Sequence, residues 1–355
     1  MKVSLFTVIV SILASQTGCK NLFPPAEPPG PPWVVFTTRN SPLAGDKVNA
    51  IAEDAEGNIW FGTDSGASAF TGKSWMSVRD QLTFLVYDNN SVAHPTKTVT
   101  SIVLDKKRNV WFGLLGGGAE RYNPVGSGAV WTRYLITDGY VYGIAANLYD
   151  PGDVFFATSW GISRFTPSST DPTIGEWGSI TTDDIPELAT NRMSFTVANA
   201  NDNTVWFGTQ KGTVIRTWYD IDLRWGDRTP PENTAPITAV AFDGKNNPWI
   251  ATTQGAWYQD FKHDTWIEYN ASTTHGAMPR SPVNALAADR KRGRMWFGTA
   301  GGLAALEGAA WKVFTRSDGQ LPGDTVQSLY LDRRGNLWIG TTRGLAVYNE
   351  DGTQF

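Results

Sequence analysis

One short phrase recurs seven times along the chain and limits its possible folds more than any other feature. The copies are Ile59-Trp60-Phe61-Gly62-Thr63, Val110-Trp111-Phe112-Gly113, Val154-Phe155-Phe156-Ala157-Thr158, Val205-Trp206-Phe207-Gly208-Thr209, Pro248-Trp249-Ile250-Ala251-Thr252, Met295-Trp296-Phe297-Gly298-Thr299 and Leu337-Trp338-Ile339-Gly340-Thr341. Successive copies lie 42 to 51 residues apart. A unit of that length cannot bury its apolar face alone, so repeats of this period stack on their neighbours. The variation in spacing belongs to loops.

Upstream of most copies an alternating apolar stretch ends in Asp and a Gly or Asn turn, as in Val48-Asn49-Ala50-Ile51-Ala52-Glu53-Asp54. Alternation followed by such a turn is a strand entering a hairpin. Downstream, a third strand starts at a Gly turn, as in Gly344-Leu345-Ala346-Val347-Tyr348, and a fourth carries Trp75, Trp131, Trp177, Trp225, Trp266 or Trp311. Each repeat therefore reads as a four-stranded antiparallel sheet. The last repeat lacks its fourth strand, and Trp33-Val34-Val35-Phe36-Thr37 matches Trp311-Lys312-Val313-Phe314-Thr315 at the other end of the chain. Pairing that N-terminal strand with the last sheet would close a ring and is expected to remove exposed sheet edges. The expectation is an all-β, seven-bladed β-propeller over residues 33–355 with four-stranded antiparallel blades, the last closed by the N-terminal strand. The repeat consumes thirteen of the 16 tryptophans as core residues and leaves Trp160, Trp218 and Trp257 over.

The best-formed copies are Asp332-Arg333-Arg334-Gly335-Asn336-Leu337-Trp338-Ile339-Gly340-Thr341, followed by Gly344-Leu345-Ala346-Val347-Tyr348, and Asp54-Ala55-Glu56-Gly57-Asn58-Ile59-Trp60-Phe61-Gly62-Thr63. This pattern resembles the two-component regulator propeller repeat, and the resemblance covers essentially all of 33–355. The copies at 148–158 and 200–209 lack the aspartate in register. The resemblance implies an extracytoplasmic sensor-like propeller, in the form of a stand-alone lipoprotein without a kinase. Beyond the leader no stretch is long and apolar enough to cross a bilayer, so any signal is expected to pass to a partner.

Residues 1–18 read as an export signal: Lys2, an apolar run from Val3 to Ala14, then small residues. Ser15-Gln16-Thr17-Gly18-Cys19 resembles a lipobox, although Gln16 replaces the usual Leu, and it makes Cys19 the expected lipidation site. An ordinary secretory signal with an incidental cysteine is the alternative. Residues 19–32 hold Pro24, Pro25, Pro28, Pro29, Pro31 and Pro32 and form an extended, semi-rigid tether. The expected location is the bacterial cell envelope, lipid-anchored at the outer membrane or periplasmic face. Cys19 is the only cysteine, so no intramolecular disulfide can form. A net charge of -4 gives no reason to expect a nucleic-acid partner.

The residues that carry chemistry are few. His94, His263 and His275 sit at unrelated repeat positions without ligand spacing, so neither a metal nor a cofactor is expected. A Gly-x-Ser-x-Gly elbow is absent. Asp54, Asp105, Asp243, Asp289 and Asp332 recur at one hairpin position, and that recurrence points to acceptance of turn N–H groups rather than to a catalytic or calcium ring. Basic residues cluster in three of the same hairpins, at Lys106-Lys107-Arg108, Arg290-Lys291-Arg292 with Arg294, and Arg333-Arg334. They suit either a solvated turn or a positive rim.

The loops between second and third strands converge at one mouth of such a ring. They carry Asp64 and Ser65, Leu115, Trp160, Gln210 and Lys211, Gln254, and Arg343. Asp64, Trp160, Lys211, Gln254 and Arg343 are the candidate ligand-binding residues, with no catalytic residue assigned. Trp160 is not used by the repeat, and beside amide and cationic groups it could stack on a sugar or an aromatic ligand. Residues 79–98, with Phe84, Leu85, Val86 and Tyr87, form the longest insertion between blades.

Three readings remain at this level. The favoured one is a monomeric, non-catalytic binding propeller, membrane-anchored and extracytoplasmic, for a glycan, a peptide or an envelope protein. The others are a propeller enzyme acting on polysaccharide, as lyase or glycoside hydrolase, and a structural subunit of an envelope complex.

Overall fold

In a computed structural model the chain forms seven four-stranded antiparallel sheets. The residues described are 30–77, 84–87, 93–96, 98–124, 130–136, 139–149, 152–168, 174–219 and 223–355. The expected export signal, the expected lipidation site Cys19 and most of the expected tether lie outside them. The inner strands are Val48–Glu53, Val99–Leu104, Val141–Ala146, Met193–Asn199, Ile237–Phe242, Val283–Asp289 and Val326–Leu331, defining blades 1 to 7. Each inner strand touches those of the blades before and after it, and blade 7 returns to blade 1. The result is a closed ring around a channel lined by all seven.

Closure uses the N-terminal strand Trp33–Phe36. It runs antiparallel to Gly344–Tyr348, with Trp33 opposite Tyr348 and Phe36 opposite Leu345. The C-terminal tail completes the seam. Gln354 N–H donates to Asn336 Oδ1 at 3.0 Å, and the Phe355 ring lies 5.3 Å from that of Phe70 in blade 1. The expected loss of sheet edges is only partly realised. Closure covers the third strand of blade 7, but every blade keeps a free outer edge because its fourth strand has one neighbour.

The second strand of each blade is buried along its length, except for half-buried Arg294 at the start of that of blade 6. Its tryptophan packs across the seam onto the next blade, as Trp60 on Phe112 at 5.6 Å and Trp338 on Phe61 at 5.4 Å. The outer-strand tryptophans pack within their own blade, Trp75 on Phe61 and Trp131 on Phe112. They are half-exposed rather than core, and Trp177 is exposed, because the outer strand has solvent on one side.

The recurrent aspartates hold the hairpins. Asp332 accepts N–H bonds from Arg334 and Asn336, the Asn336 amide, and the Trp338 indole N–H at 2.8 Å. Asp54 and Asp105 do the same for Trp60 and Trp111. The degenerate blades use substitutes: Asn147 accepts the turn N–H of Tyr149 beside Phe155, which needs no acceptor, and Thr204 takes the Trp206 indole. In blade 6, Asp289 is engaged by Arg292, and the Trp296 indole N–H is buried without a partner.

This internal contrast is testable by thermal melts. Trp338→Phe breaks a buried hydrogen bond, whereas Trp296→Phe removes an orphaned donor. The first variant should be about 1–2 kcal/mol less stable than the second. The closing seam also has a pH signature. Glu53 is buried beside Tyr330 and Arg333, and burial raises its carboxyl pKa above the ordinary 4.5. The same burial, with Glu53 adjacent, pushes the Tyr330 phenol up to about 12. A raised carboxyl favours the folded state while protonated, so its contribution is full below pH 4.5 and fades as pH rises through the folded value. Glu53→Gln should remove that part of the slope in a stability-versus-pH series.

Candidate functional site

The two faces of the ring differ in how their loops are built. On the turn face, where second and third strands meet, a threonine ends the second strand and folds the turn. Thr158 Oγ1 donates to Gly161 O at 2.9 Å and accepts the Trp160 N–H at 3.1 Å. Gly161 sits at φ +111°, where a side chain would strike the Ile180 carbonyl. The same threonine in five other blades presents Ser65, Lys211, Gln254, Gly301 and Arg343 at the position of Trp160, while blade 2 has Leu114 in place of the threonine. The main chain thus holds residue two of the turn outward, and its side chain is free to differ between blades.

A second device shapes the channel mouth. Each inner strand carries a register shift after its first residue. The extra residues are Asn49, Thr100, Tyr142, Ser194, Thr238, Asn284 and Gln327, all polar or phenolic. A bulge re-aims a side chain that strict alternation would place elsewhere. Four of them donate to the first carbonyl of the next blade: Asn49 to Val99, Thr100 to Val141, Thr238 to Val283 and Asn284 to Val326. At the closing seam Ser328 Oγ donates to Val48 O instead. The pattern fails at blade 4, where Ser194 Oγ is buried without a partner.

The main cleft of the turn face lies where this belt changes, between blades 3 and 4. It has a volume of about 570 Å³ and is lined by Tyr140, Tyr142, Ser159, Trp160, Thr190, Asn191, Arg192 and Gln210. Trp160 is 66% exposed. The linker into blade 4 is anchored by buried Ile185 and Leu188, and Asn191 Oδ1 accepts the Thr182 N–H at 2.7 Å. The Gln210 N–H donates to Arg192 O at 2.9 Å, which holds the blade 4 wall of the cleft together. A shallower depression continues from Gln210 past Ser194 and Thr238 to Asn284 and Gln327. Aromatic faces for stacking, hydroxyls and amides for hydrogen bonding, and one guanidinium fit a ligand that is neutral or carries a single negative charge.

All five candidate residues lie on this face, but they do not form one site. Only Trp160 lines the cleft. Lys211 follows Gln210, which does, and Lys211 Nζ reaches Ala189 O at 3.5 Å. Asp64, Gln254 and Arg343 stand on blades 1, 5 and 7, because equivalent turns of a ring are spread around its rim. The sequence reading missed Tyr140, Tyr142, Thr190, Asn191 and Arg192, which come from loops between blades and from the bulge. Its available signal was the polar residue after the first apolar residue of every inner strand.

Two segments, residues 42–65 and 320–343, match the sequence model of the two component regulator propeller family. The chain carries two-component regulator propeller repeats. Each matched segment runs from the linking loop through the inner strand, the hairpin and the second strand into the turn. No curated protein matches the sequence. Among solved structures, the extracellular domain of a B. thetaiotaomicron protein described as a hybrid two component system aligns with TM-score 0.72 at 18% identity. That alignment covers 90% of this chain and 41% of the other, so this chain spans about two fifths of its length. A streptogramin B lyase aligns with TM-score 0.63 at 14% identity, covering 89% of this chain and 97% of the lyase. PorZ of Porphyromonas gingivalis, described as an essential surface component of the type-IX secretion system, aligns with TM-score 0.62 at 15% identity, covering 89% and 47%. At such identities the likeness is one of fold.

The opposite face of the propeller carries the basic hairpins, and there the arginines are bound across seams. Arg333 donates to Asp54 O at 2.9 Å and faces Glu53. Arg292 meets Asp289 and Asp351, Arg294 meets Glu307 and Glu350, and Arg108 meets Glu56. These hairpins act as clamps between blades as much as solvated turns. His263 is held by Asp260 on the same face, away from the cleft. The insertion after blade 1 contains a two-stranded hairpin, Phe84–Tyr87 with Ala93–Thr96.

Proposed function

We propose that the protein is an extracytoplasmic recognition module, tethered to a membrane through Cys19 and the proline-rich segment, that binds its ligand without transforming it. The observation that carries this reading is the cleft between blades 3 and 4. Its lining places an exposed tryptophan and two tyrosines beside hydroxyl, amide and guanidinium groups. A tryptophan two-thirds exposed at a turn tip serves no packing purpose in the ring, whereas at a cleft wall it offers a rigid stacking surface.

The position of residues 30–32 supports the same reading. Pro31 O accepts the Thr353 N–H at 3.2 Å, and Gly30 N–H donates to Thr353 O at 2.8 Å. The tether therefore leaves from the hairpin face, and the cleft opens on the opposite side. A module anchored in this way holds its cleft toward the surroundings. The extracellular domain and surface component among the neighbours of this fold agree with such a location. The lyase neighbour keeps an enzymatic alternative in view. Among the cleft's lining residues, however, the ionisable groups are one arginine and two phenols, a poor acid–base set for hydrolysis or elimination.

Two measurements check this reading. In a glycan and peptide binding screen with titration of any hit, Trp160→Ala and Gln210→Ala should each weaken binding about tenfold or more with little change in melting temperature. Arg343→Ala, across the ring, should leave binding intact. In fractionated cells, Cys19→Ser should move the protein from the membrane to the soluble fraction.

A further inference from the structure

The repeat supplies its own control for the surface beside the cleft. Four residues after each outer-strand tryptophan, the chain turns from one blade toward the next. Five of these positions hold a hydroxyl or amide that fastens the turn. Thr37 accepts the Arg39 N–H, Thr181 bonds Asp184, Thr229 accepts the Val214 N–H, Asn270 accepts two N–H groups, and Thr315 bonds Asp318. Blade 2 places Leu135 there instead, and its side chain is 87% exposed. The substitution gives up a local hydrogen bond and buries nothing in return.

The neighbouring positions depart in the same direction. Leu115, exposed, stands where the other blades carry Asp64, Ser159, Gln210, Thr253, Ala300 and Thr342. It bridges to Tyr140, which shares the cleft wall with Trp160. The Gly118 N–H donates to Gly139 O at 2.9 Å, so the turn of blade 2 lies against the loop that starts at Leu135. Leu115, Leu135, Tyr140 and Trp160 are all exposed, and exposed apolar groups gathered on one face mark interaction sites. A sugar requires stacking rings with polar neighbours, and two exposed leucines outside the cleft add nothing for it. They suit the aliphatic or aromatic side chains of a polypeptide. Arg192, exposed and with no ion pair among the described residues, supplies the charge complement.

We infer that the turn face of blades 2 to 4 docks an extended segment of a partner protein, with an apolar side chain over Leu115 and Leu135 and a carboxylate further along the segment at Arg192. This inference rests on the proposed cleft and names its occupant. Trp160 and Tyr140 form the wall between the two contacts, so the segment crosses from the apolar shoulder into the cleft.

The test is selection of a random peptide display library on the full-length protein, followed by titration of the enriched synthetic peptides and, in parallel, a glycan array. Enrichment of an apolar residue with an Asp or Glu further along the same peptide is expected, with binding weakened about tenfold by Leu135→Thr and by Arg192→Ala. Leu135→Thr gives blade 2 the residue that blades 3, 4, 6 and 7 carry at this position, so its melting temperature should hold or rise, which separates lost contact from misfolding. Glycan binding that depends on Trp160 but ignores Leu135→Thr would overturn this inference and keep the cleft. Peptides indifferent to Leu135 and Arg192 would overturn it as well. Peptide and glycan binding that is also indifferent to Trp160 and Gln210 would overturn both.

Discussion

Across most seams of the ring, the aromatic side chain of one second strand rests on the phenylalanine of the next. Trp111 meets Phe156 at 5.6 Å, Phe155 meets Phe207 at 5.7 Å, Trp249 meets Phe297 at 5.5 Å, and Trp338 returns to Phe61. Each such pair adds about 0.5–1.5 kcal/mol beyond the area it buries. The geometry matters more than the sum. Every blade is held by two neighbours, so no blade can leave without opening a seam, and the closing strand Trp33–Phe36 secures the first and last units together. The aspartate hairpins then fix the indoles from one end, and the threonine turns fix the second strands from the other.

A ring held in this way leaves its loops free to vary. Blades 2 to 4 hold most of the departures on the turn face, including Leu115 and Leu135, Tyr142 at the bulge, Trp160 at the turn, and Ser194 with its unpartnered hydroxyl. Blade 3 is also the copy whose repeat is most altered, with Phe155 for the tryptophan, Asn147 for the aspartate, and buried Asp153 paired to Arg164. Burial raises the Asp153 carboxyl pKa, and Arg164 opposes the rise. Both seams of blade 3 stay packed despite these exchanges, through Trp111 on Phe156 and Phe155 on Phe207. The candidate site lies beside this most altered repeat.

The fold was legible because periodic burial leaves a periodic trace. Trp60, Trp111, Trp206, Trp249, Trp296 and Trp338 recur at one structural position, and Trp33 could be matched to Trp311 without knowing that Trp33 pairs with Tyr348. The turn aspartates were also readable as acceptors, although their bond to the indole N–H six residues on was not. The site was legible in Trp160 and in the turn residue Gln210. Its partners Tyr140 and Arg192 lie in linkers between blades, where no repeat constrains the residue and length alone varies. Arg333 and Arg292 read as free charge in the sequence because their partners Glu53 and Asp351 are 280 and 59 residues away.

The sequence by itself determined the number of blades, the strands in each, the displaced closing strand and the direction of the turns, since all of these follow from local pattern and repetition. Only the tertiary structure decided which turns share a cleft, which polar residues the bulges turn to the channel mouth, and at which face residues 30–32 lie. Those outcomes depend on the circular order and spacing of the blades, and on one-residue shifts in strand register. Such relations hold between residues distant in the chain, and local pattern does not record them.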